Sequence, residues 1–539
     1  MHHINRRDFI LGGTAASLLA PGLAAQAQAQ LLAQVTAVPG TLTLGTKLEL
    51  NTLDPHFFNG FPQGSSHSLI FDALMLLDSN LRVQPALATG YKLVNDLTWE
   101  FTLRRDVKYH NGMPFTAADV AATYNRVPNV PNSPNLFSQF TKSIDRVEIV
   151  NDHLVRFHTK EPNPTLPGDL SRVFIIPAAL ANASTADFNT GSAFCVGTGP
   201  YKVVEWVNGD RLVLEANPGY WGGKPAWGKV VEKVIKSDPT RIANLLSGQV
   251  DAIDEVPPAD IPRFRDDARF AMYSGPSSVV HYIALDSDRD DSPFVGPKDG
   301  QPPLKGNPLK DKRVRRALSL AINRELIASR MMDGSVIPAS QFMPSTFEGT
   351  SQKLKPHPFD PDQAKKLLAE AGYPDGFKIT LHATNDRYPK DRDIAQAIGQ
   401  TWTRIGLQVA IEAVTGTVFF GQASTQKYSA FIAQYGTEEA LVGPRALIHT
   451  VAPATGMGSA NRTRHSNPAI DAVIQKAAVE MDPAKRVLLT QQALELTIEE
   501  QAFIPVFHPN WQFAARKELV VESSPLRRFN ALMISQKKA

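Results

Sequence analysis

Apolar residues along this chain fall into two periods. Some alternate with polar neighbours over five to eight positions, and others recur every third or fourth residue. Residues 41–48 alternate and predict a strand, as do Trp99, Phe101 and Leu103. Thr116-Ala117-Ala118-Asp119 is a capping box that predicts a helix over 120–126. Residues 201–207 and 211–216 predict a hairpin joined at Asn208-Gly209, because Asn-Gly supplies the positive φ angles of a tight turn.

Further on, strands and helices alternate. Asp238-Pro239 predicts a helix that ends at Gly248, with a strand returning over 250–253. Asp360-Pro361 starts a helix that ends at Gly372, and residues 377–383 form the next strand. Ile394, Ile398, Trp402 and Ile405 share one helical face, which stops at Gly406 before a strand over 408–413. Asn467-Pro468 and Asp482-Pro483 open two more helices. An Asx cap followed by Pro is a strong start signal, because Pro lacks only an N–H that has no partner in the first turn anyway. Such alternation predicts α/β lobes with substantially parallel sheet. Two apolar segments, 279–285 and 503–513, are candidates for crossings between lobes. The first runs into a Pro- and Gly-rich stretch, 286–308, that also fits a long surface loop.

The N-terminus changes the picture. Asn5-Arg6-Arg7-Asp8-Phe9-Ile10 is a twin-arginine pattern followed by a weakly apolar stretch broken at Pro21-Gly22. Small residues at Ala25, Ala27 and Ala29 suit a signal peptidase, so residues 1–29 are expected to be an export signal and the mature chain periplasmic. No other stretch approaches the roughly 18 apolar residues of a spanning helix, so no membrane insertion is expected. The single cysteine, Cys195, gives no internal disulfide and no Cys-based metal site.

Charge is nearly balanced. Without Arg6, Arg7 and Asp8 the net charge falls from +3 to +2, and basic residues form no long run. Nucleic acid therefore has no electrostatic footprint here. The usual nucleophile, metalloprotease, phosphate and dinucleotide motifs are missing, so no cofactor, no metal and no catalysis are expected. His56, His67, His110 and His449 stand singly, and a lone histidine is more often structural than functional.

Several segments together resemble a known family. Leu53-Asp54-Pro55-His56, Tyr109 to Val120, Gly197-Thr198-Gly199-Pro200-Tyr201, Asn217 to Trp221, Ser247 to Asp251, and Val314 to Leu318 leading to Ala321-Ile322-Asn323-Arg324 look like the solute-binding proteins of dipeptide, oligopeptide and nickel ABC importers. Residues 360–372, Ile405-Gly406-Leu407 and Ser466 to Asp471 fit as well, in family order. The resemblance implies an α/β, periplasmic-binding-protein-like two-lobed clamp with a small α+β subdomain inserted in the first lobe. The first lobe would take residues 38–80, 197–284 and 508–539, the inserted subdomain 81–196, and the second lobe 285–507.

The implied function is capture of a small peptide or peptide-like solute between the lobes by a monomer. Its partners would be an inner-membrane ABC permease and its ATPase. Peptide binders of the family commonly carry Gly-Trp followed by an Asp that pairs with the ligand's ammonium. Here Tyr435 stands near the Trp, and Glu438 or Glu439 near the Asp. Arg445 and His449 follow on the same segment as candidates for an anionic group, because the Arg fork binds carboxylates bidentately. Phe57 and Phe58 are candidates for a facing wall. A carrier of a metal chelate, opine or oligosaccharide, a sensor's partner and a periplasmic enzyme remain as alternatives.

Overall fold

The computed structural model describes residues 40–134 and 137–537; the expected export signal lies outside them. Two sheet regions joined edge to edge dominate it. In the first lobe, Thr41–Thr46 pairs in parallel with Lys229–Val234 and Ala252–Ile253, and Arg211–Ala216 and Tyr201–Val207 extend the sheet antiparallel. In the second lobe, Lys378–Thr384 pairs in parallel with Gln408–Val414, and Ala430–Gly436 links it to Val279–Leu285. Val279–Leu285 is buried along its whole length, which suits a central strand that is apolar apart from His281.

One long strand, Ile504–Arg516, belongs to both lobes. Its first half pairs with Val279–Leu285 and its second half with Phe270–Pro276 and Ala252–Ile253. Opposite it the partner chain breaks at Ser277-Ser278. Pro509 sits across from that break, and its carbonyl accepts from Ser277 N at 3.3 Å. Proline has no N–H to give the ladder, so regular pairing lapses at the lobe junction. After the break, Val279–Leu285 pairs with Ala430–Gly436 on one side and with the first half of Ile504–Arg516 on the other. The polar stretch after Leu285 is a surface loop of the second lobe, carrying the short strand Val295–Gly296.

A third unit is a four-stranded antiparallel sheet in the order Ala88–Asn95, Thr98–Leu103, Leu154–Thr159, Ile144–Asn151. Helix Ala117–Arg126 covers it. Thr116 and Asp119 form the expected capping box, with Thr116 N donating to Asp119 Oδ2 at 2.8 Å. Trp99, Phe101, Tyr124 and Phe157 fill its core.

Helix starts follow the sequence. Asp360 accepts from Gln363 N at 2.9 Å, Asn467 from Ala469 N at 3.0 Å, and Asp482 from Lys485 N at 2.9 Å. At Asp238-Pro239 the capping side chain is one residue earlier, Ser237. Helix Asp391–Arg404 buries Ile394, Ile398 and Trp402 against the second sheet. Among the described residues no helix is long and apolar enough to cross a membrane.

Candidate functional site

The segments that carry the family resemblance lie mostly inside the first lobe and its subdomain. Asp54, fully buried, receives both terminal nitrogens of Arg126 at 2.9 and 2.7 Å. Arg126 also donates to His56 Nδ1 at 2.8 Å, and His56 Nε2 donates to the Phe174 carbonyl at 2.7 Å. Burial, with Arg126 next to it, pushes His56 down to about 4, so the ring is neutral and fixed in one tautomer.

Asp72 is a second hub. It accepts from Thr198 Oγ1 at 2.8 Å, Trp221 Nε1 at 2.8 Å and Tyr220 OH at 3.2 Å. Gly197 N donates to His110 Nδ1 at 3.3 Å, while His110 Nε2 donates to the Gly199 carbonyl at 3.0 Å. His67 Nε2 donates to the Thr52 carbonyl at 3.1 Å. These residues hold loops to the sheet. Three of the four single histidines are thus structural.

The groups that face across the lobes lie elsewhere. Glu438, just beyond strand Ala430–Gly436 of the second lobe, forms an ion pair with Arg172 Nη1 at 3.0 Å. Arg172 follows the short helix Leu166–Asp169 of the subdomain and lies over the Phe140 ring at 5.6 Å. Its Nε is buried with no hydrogen-bond partner. Arg528, from the C-terminal segment, faces both Arg172 and Glu438, and burial pushes it down to about 10, still a cation at neutral pH. Arg172, Arg528 and Phe58 line one open pocket.

Beside this lies a second group. Asp169 is held by Asn163 Nδ2 at 3.1 Å, and burial pushes its carboxyl up to about 8. Glu439 and Glu438 raise it further, and Arg445 opposes them. Burial also raises Glu439, which has Arg486 at 3.8 Å and Arg445 nearby. Arg486 in turn donates to the Pro164 carbonyl at 3.1 Å, a direct contact between second lobe and subdomain. Tyr435 is half-buried against the second lobe's core, facing Arg445 and Arg462. Arg462 lies over the Phe420 ring at 5.5 Å, and its Nε is also buried without a partner. Among the described residues neither Arg445 nor Arg528 makes a side-chain hydrogen bond or ion pair.

The structure therefore places Tyr435, Glu438, Glu439 and Arg445 where the second lobe meets the subdomain, and Glu438 is joined through Arg172 to the pocket that Phe58 lines. Phe57 is half-buried, and its carbonyl accepts from Ser133 Oγ at 2.6 Å; its ring does not line the pocket that Phe58 lines. His449 is placed away from the cleft groups. It is 3% exposed and fixed by the Thr450 carbonyl and Gln475 Nε2, with Asp471 at 3.9 Å. The aligned turn Pro444–Ile448 carries Arg445 toward Asp169 and turns His449 into the lobe. Sequence reasoning missed Asp169, Arg172, Arg462 and Arg528. Their only local signal is the Arg527-Arg528 pair, because their partners come from distant segments.

Comparisons with known proteins agree with this architecture. The family model "Bacterial extracellular solute-binding proteins, family 5 Middle" matches residues 82–448. The glutathione-binding protein GsiB of Salmonella choleraesuis (strain SC-B67) is 27% identical over 474 residues, covering 84% of this chain and 86% of that one. The periplasmic oligopeptide-binding protein OppA of Escherichia coli (strain K12) is 24% identical over 541 residues and 94% of each chain. Among solved structures, HbpA2 from Haemophilus parasuis superposes with a TM-score of 0.79 at 22% identity, covering 92% of this chain and all of that one. The match to the family model spans most of the two-lobed architecture, and this chain belongs to the bacterial extracellular solute-binding proteins, family 5.

Proposed function

We propose that this protein captures a small peptide-like solute bearing one ammonium and two carboxylates, and delivers it from the periplasm to an ABC permease and its ATPase. The observation that carries the ligand class is the pair of unsatisfied guanidiniums on opposite sides of the cleft. Arg445 stands on the second lobe and Arg528 on the first, and among the described residues neither makes a side-chain hydrogen bond or ion pair. Each suits a carboxylate, which a guanidinium fork binds with two hydrogen bonds. Asp169 and Glu439 form the acidic side, where a ligand ammonium would replace the proton that burial favours. Tyr435 and Phe58 would be the apolar walls. Glu438 already has Arg172 as its partner, so it serves to draw subdomain and second lobe together rather than to hold the ammonium.

Relatives point the same way. Glutathione, named in GsiB, is a tripeptide with one ammonium and two carboxylates. Calorimetric titration decides the matter. Glutathione is expected to bind at least about tenfold more tightly than tri-alanine, which leaves one guanidinium without a carboxylate. Equal or tighter binding of tri-alanine would remove the two-carboxylate reading. The protein is proposed to act without chemistry on its ligand, so recovered ligand is expected unchanged after incubation.

Export is proposed to follow the twin-arginine route through Arg6 and Arg7, with residues 1–29 removed. Lobe limits near 38–80, 197–278 and 508–539 for the first lobe, and 81–196 for the subdomain, are the divisions proposed for dissection.

A further inference from the structure

The first lobe contains a second pocket that no residue of the second lobe lines. It is open and lies at the C-terminal ends of the parallel strands Thr41–Thr46 and Lys229–Val234. Helix Phe61–Ile70 separates it from the pocket lined by Phe58, Arg172 and Arg528. Ser65 and Ser66 face this pocket, while Gly60, Gln63 and His67 face the other. One part of its wall is apolar, with Leu48, Leu50, Trp206, Leu212 and Phe529, and the rest is polar.

Its charges are unequal in what they already hold. Arg211 is bonded to Glu205 and Asp210. Arg527 is paired with Glu255. Asp254 accepts from Lys47 N at 2.8 Å and has Arg241 at 3.5 Å. Glu232 alone among these has no cation. It is 5% exposed, Ser66 Oγ donates to its Oε2 at 2.6 Å, and its Oε1 is buried with no hydrogen-bond partner. A buried carboxylate oxygen left unpaired is costly, and a donor arriving from the pocket removes that cost.

We infer that this pocket is a second binding site, for a short alkyl or aryl ammonium compound whose cationic head bonds Glu232 and whose body packs on Trp206, Leu48 and Phe529. The ammonium supplies the donor and the countercharge together, and the apolar part of the wall takes the body of the ligand out of water. Trp206 adds an aromatic surface suited to a cation beside it.

Protonation sets the conditions. Burial pushes Glu232 up to about 7, with Asp254 adding to the rise. The other groups facing it are Arg211 from the hairpin, Arg527 from the C-terminal segment and the Ser66 hydroxyl from the helix. A bound ammonium must compete with the proton, so affinity falls as pH drops from 8 to 6.

Saturation-transfer NMR and calorimetry with n-butylammonium chloride test this, with n-butanol as the neutral isostere. Butylammonium is expected to bind the purified protein at pH 8. Butanol is expected to bind at least about tenfold more weakly, since a hydrogen bond to a charged group is worth more than a factor of ten. Glu232→Gln is expected to lower butylammonium affinity by at least about tenfold. Leu48→Trp narrows the mouth without touching a carboxylate and is expected to block binding, so it decides the matter if Glu232→Gln does not fold. The inference is overturned if the parent does not bind butylammonium, if butanol binds as well, or if Leu48→Trp binds as the parent does.

Discussion

At the scale of single residues, the cleft keeps carboxylates in an environment that opposes their charge. Asp169 rises from its ordinary 3.8 to about 8 because burial disfavours the anion. The sign of the consequence follows from proton counting. Between about pH 4 and 8 the folded protein holds a proton that the unfolded chain has released, so this group's contribution to stability falls as pH rises through that window. Asp169→Asn is expected to remove this slope, raising the melting temperature most at pH 8, as calorimetry at pH 5 and pH 8 will show. The same variant is expected to weaken glutathione binding by more than about tenfold, because it removes the ammonium's partner. Parallel stability curves for parent and variant would show that Asp169 is not the group that titrates. Glu439→Gln is expected to act in the same direction. Glu438→Gln is expected to act less on the ammonium, since Glu438 is held by Arg172.

At the scale of elements, glycines in similar-looking contexts carry opposite expectations. Gly197 and Gly199 lie against the end of helix Phe61–Ile70, with Gly199 N donating to the Ile70 carbonyl at 2.9 Å. A Cβ on Gly197 would stand 1.9 Å from that carbonyl oxygen, a backbone atom that cannot rotate away. Gly197→Ala is expected to cost about 3 kcal/mol or more, seen as a lower denaturation midpoint. Gly421 lies exposed in helix Gly416–Ser424, and a Cβ there meets nothing within 4 Å. Gly421→Ala is expected to stabilise by about 0.5–1 kcal/mol, by restricting the unfolded chain.

The elements also show how far sequence reaches. Asp360, Asn467 and Asp482 cap helices with their own side chains, so a four-residue window held the whole signal. The Asn208-Gly209 turn is equally local, with Gly209 at a φ of +75°. The cleft is not local. Arg172, Glu438 and Arg528 meet from three parts of the chain, and nothing around any one of them names the other two. The Tyr435–Arg445 segment was found because it departs from a pattern. Arg445 and His449 differ by four residues, but the wide turn Pro444–Ile448 gives them opposite directions. The lobe junction at Ser277-Ser278 went unread for a similar reason: the break is opposite Pro509, more than two hundred residues away.

At the scale of the molecule, two connections cross between lobes, and among the described residues three polar contacts bridge subdomain and second lobe, Arg172 to Glu438, Arg486 to the Pro164 carbonyl, and Lys142 to the Thr455 carbonyl at 3.3 Å, with Met481 packed against the subdomain's core. Few contacts on one side and two strands on the other allow closure about the strands without disturbing either core. Small-angle scattering is expected to give a smaller radius of gyration with saturating glutathione than without it. An unchanged radius would argue against a closing clamp. In the producing cell, changing Arg6 and Arg7 to Lys is expected to leave precursor in the cytoplasm; normal export would remove the twin-arginine route.

The long strand Ile504–Arg516 has a consequence for the order in which the protein comes into being. Residues 41–46 are made early, yet the sheet they belong to is sealed by Ala514 and Ala515 against Ile253 and Ala252. Trp227 Nε1 bonds the Ile534 carbonyl, 307 residues on, and Ser65 Oγ the Phe529 carbonyl, 464 residues on. The first lobe therefore has no finished form until residues 504–534 have been made. Its earlier strands must wait, incomplete, for that segment to arrive. Closing so distant a pairing is slow relative to local helix formation. A protein built this way acquires its shape after synthesis as a single late event, and a cellular route that accepts cargo already folded is suited to that timing.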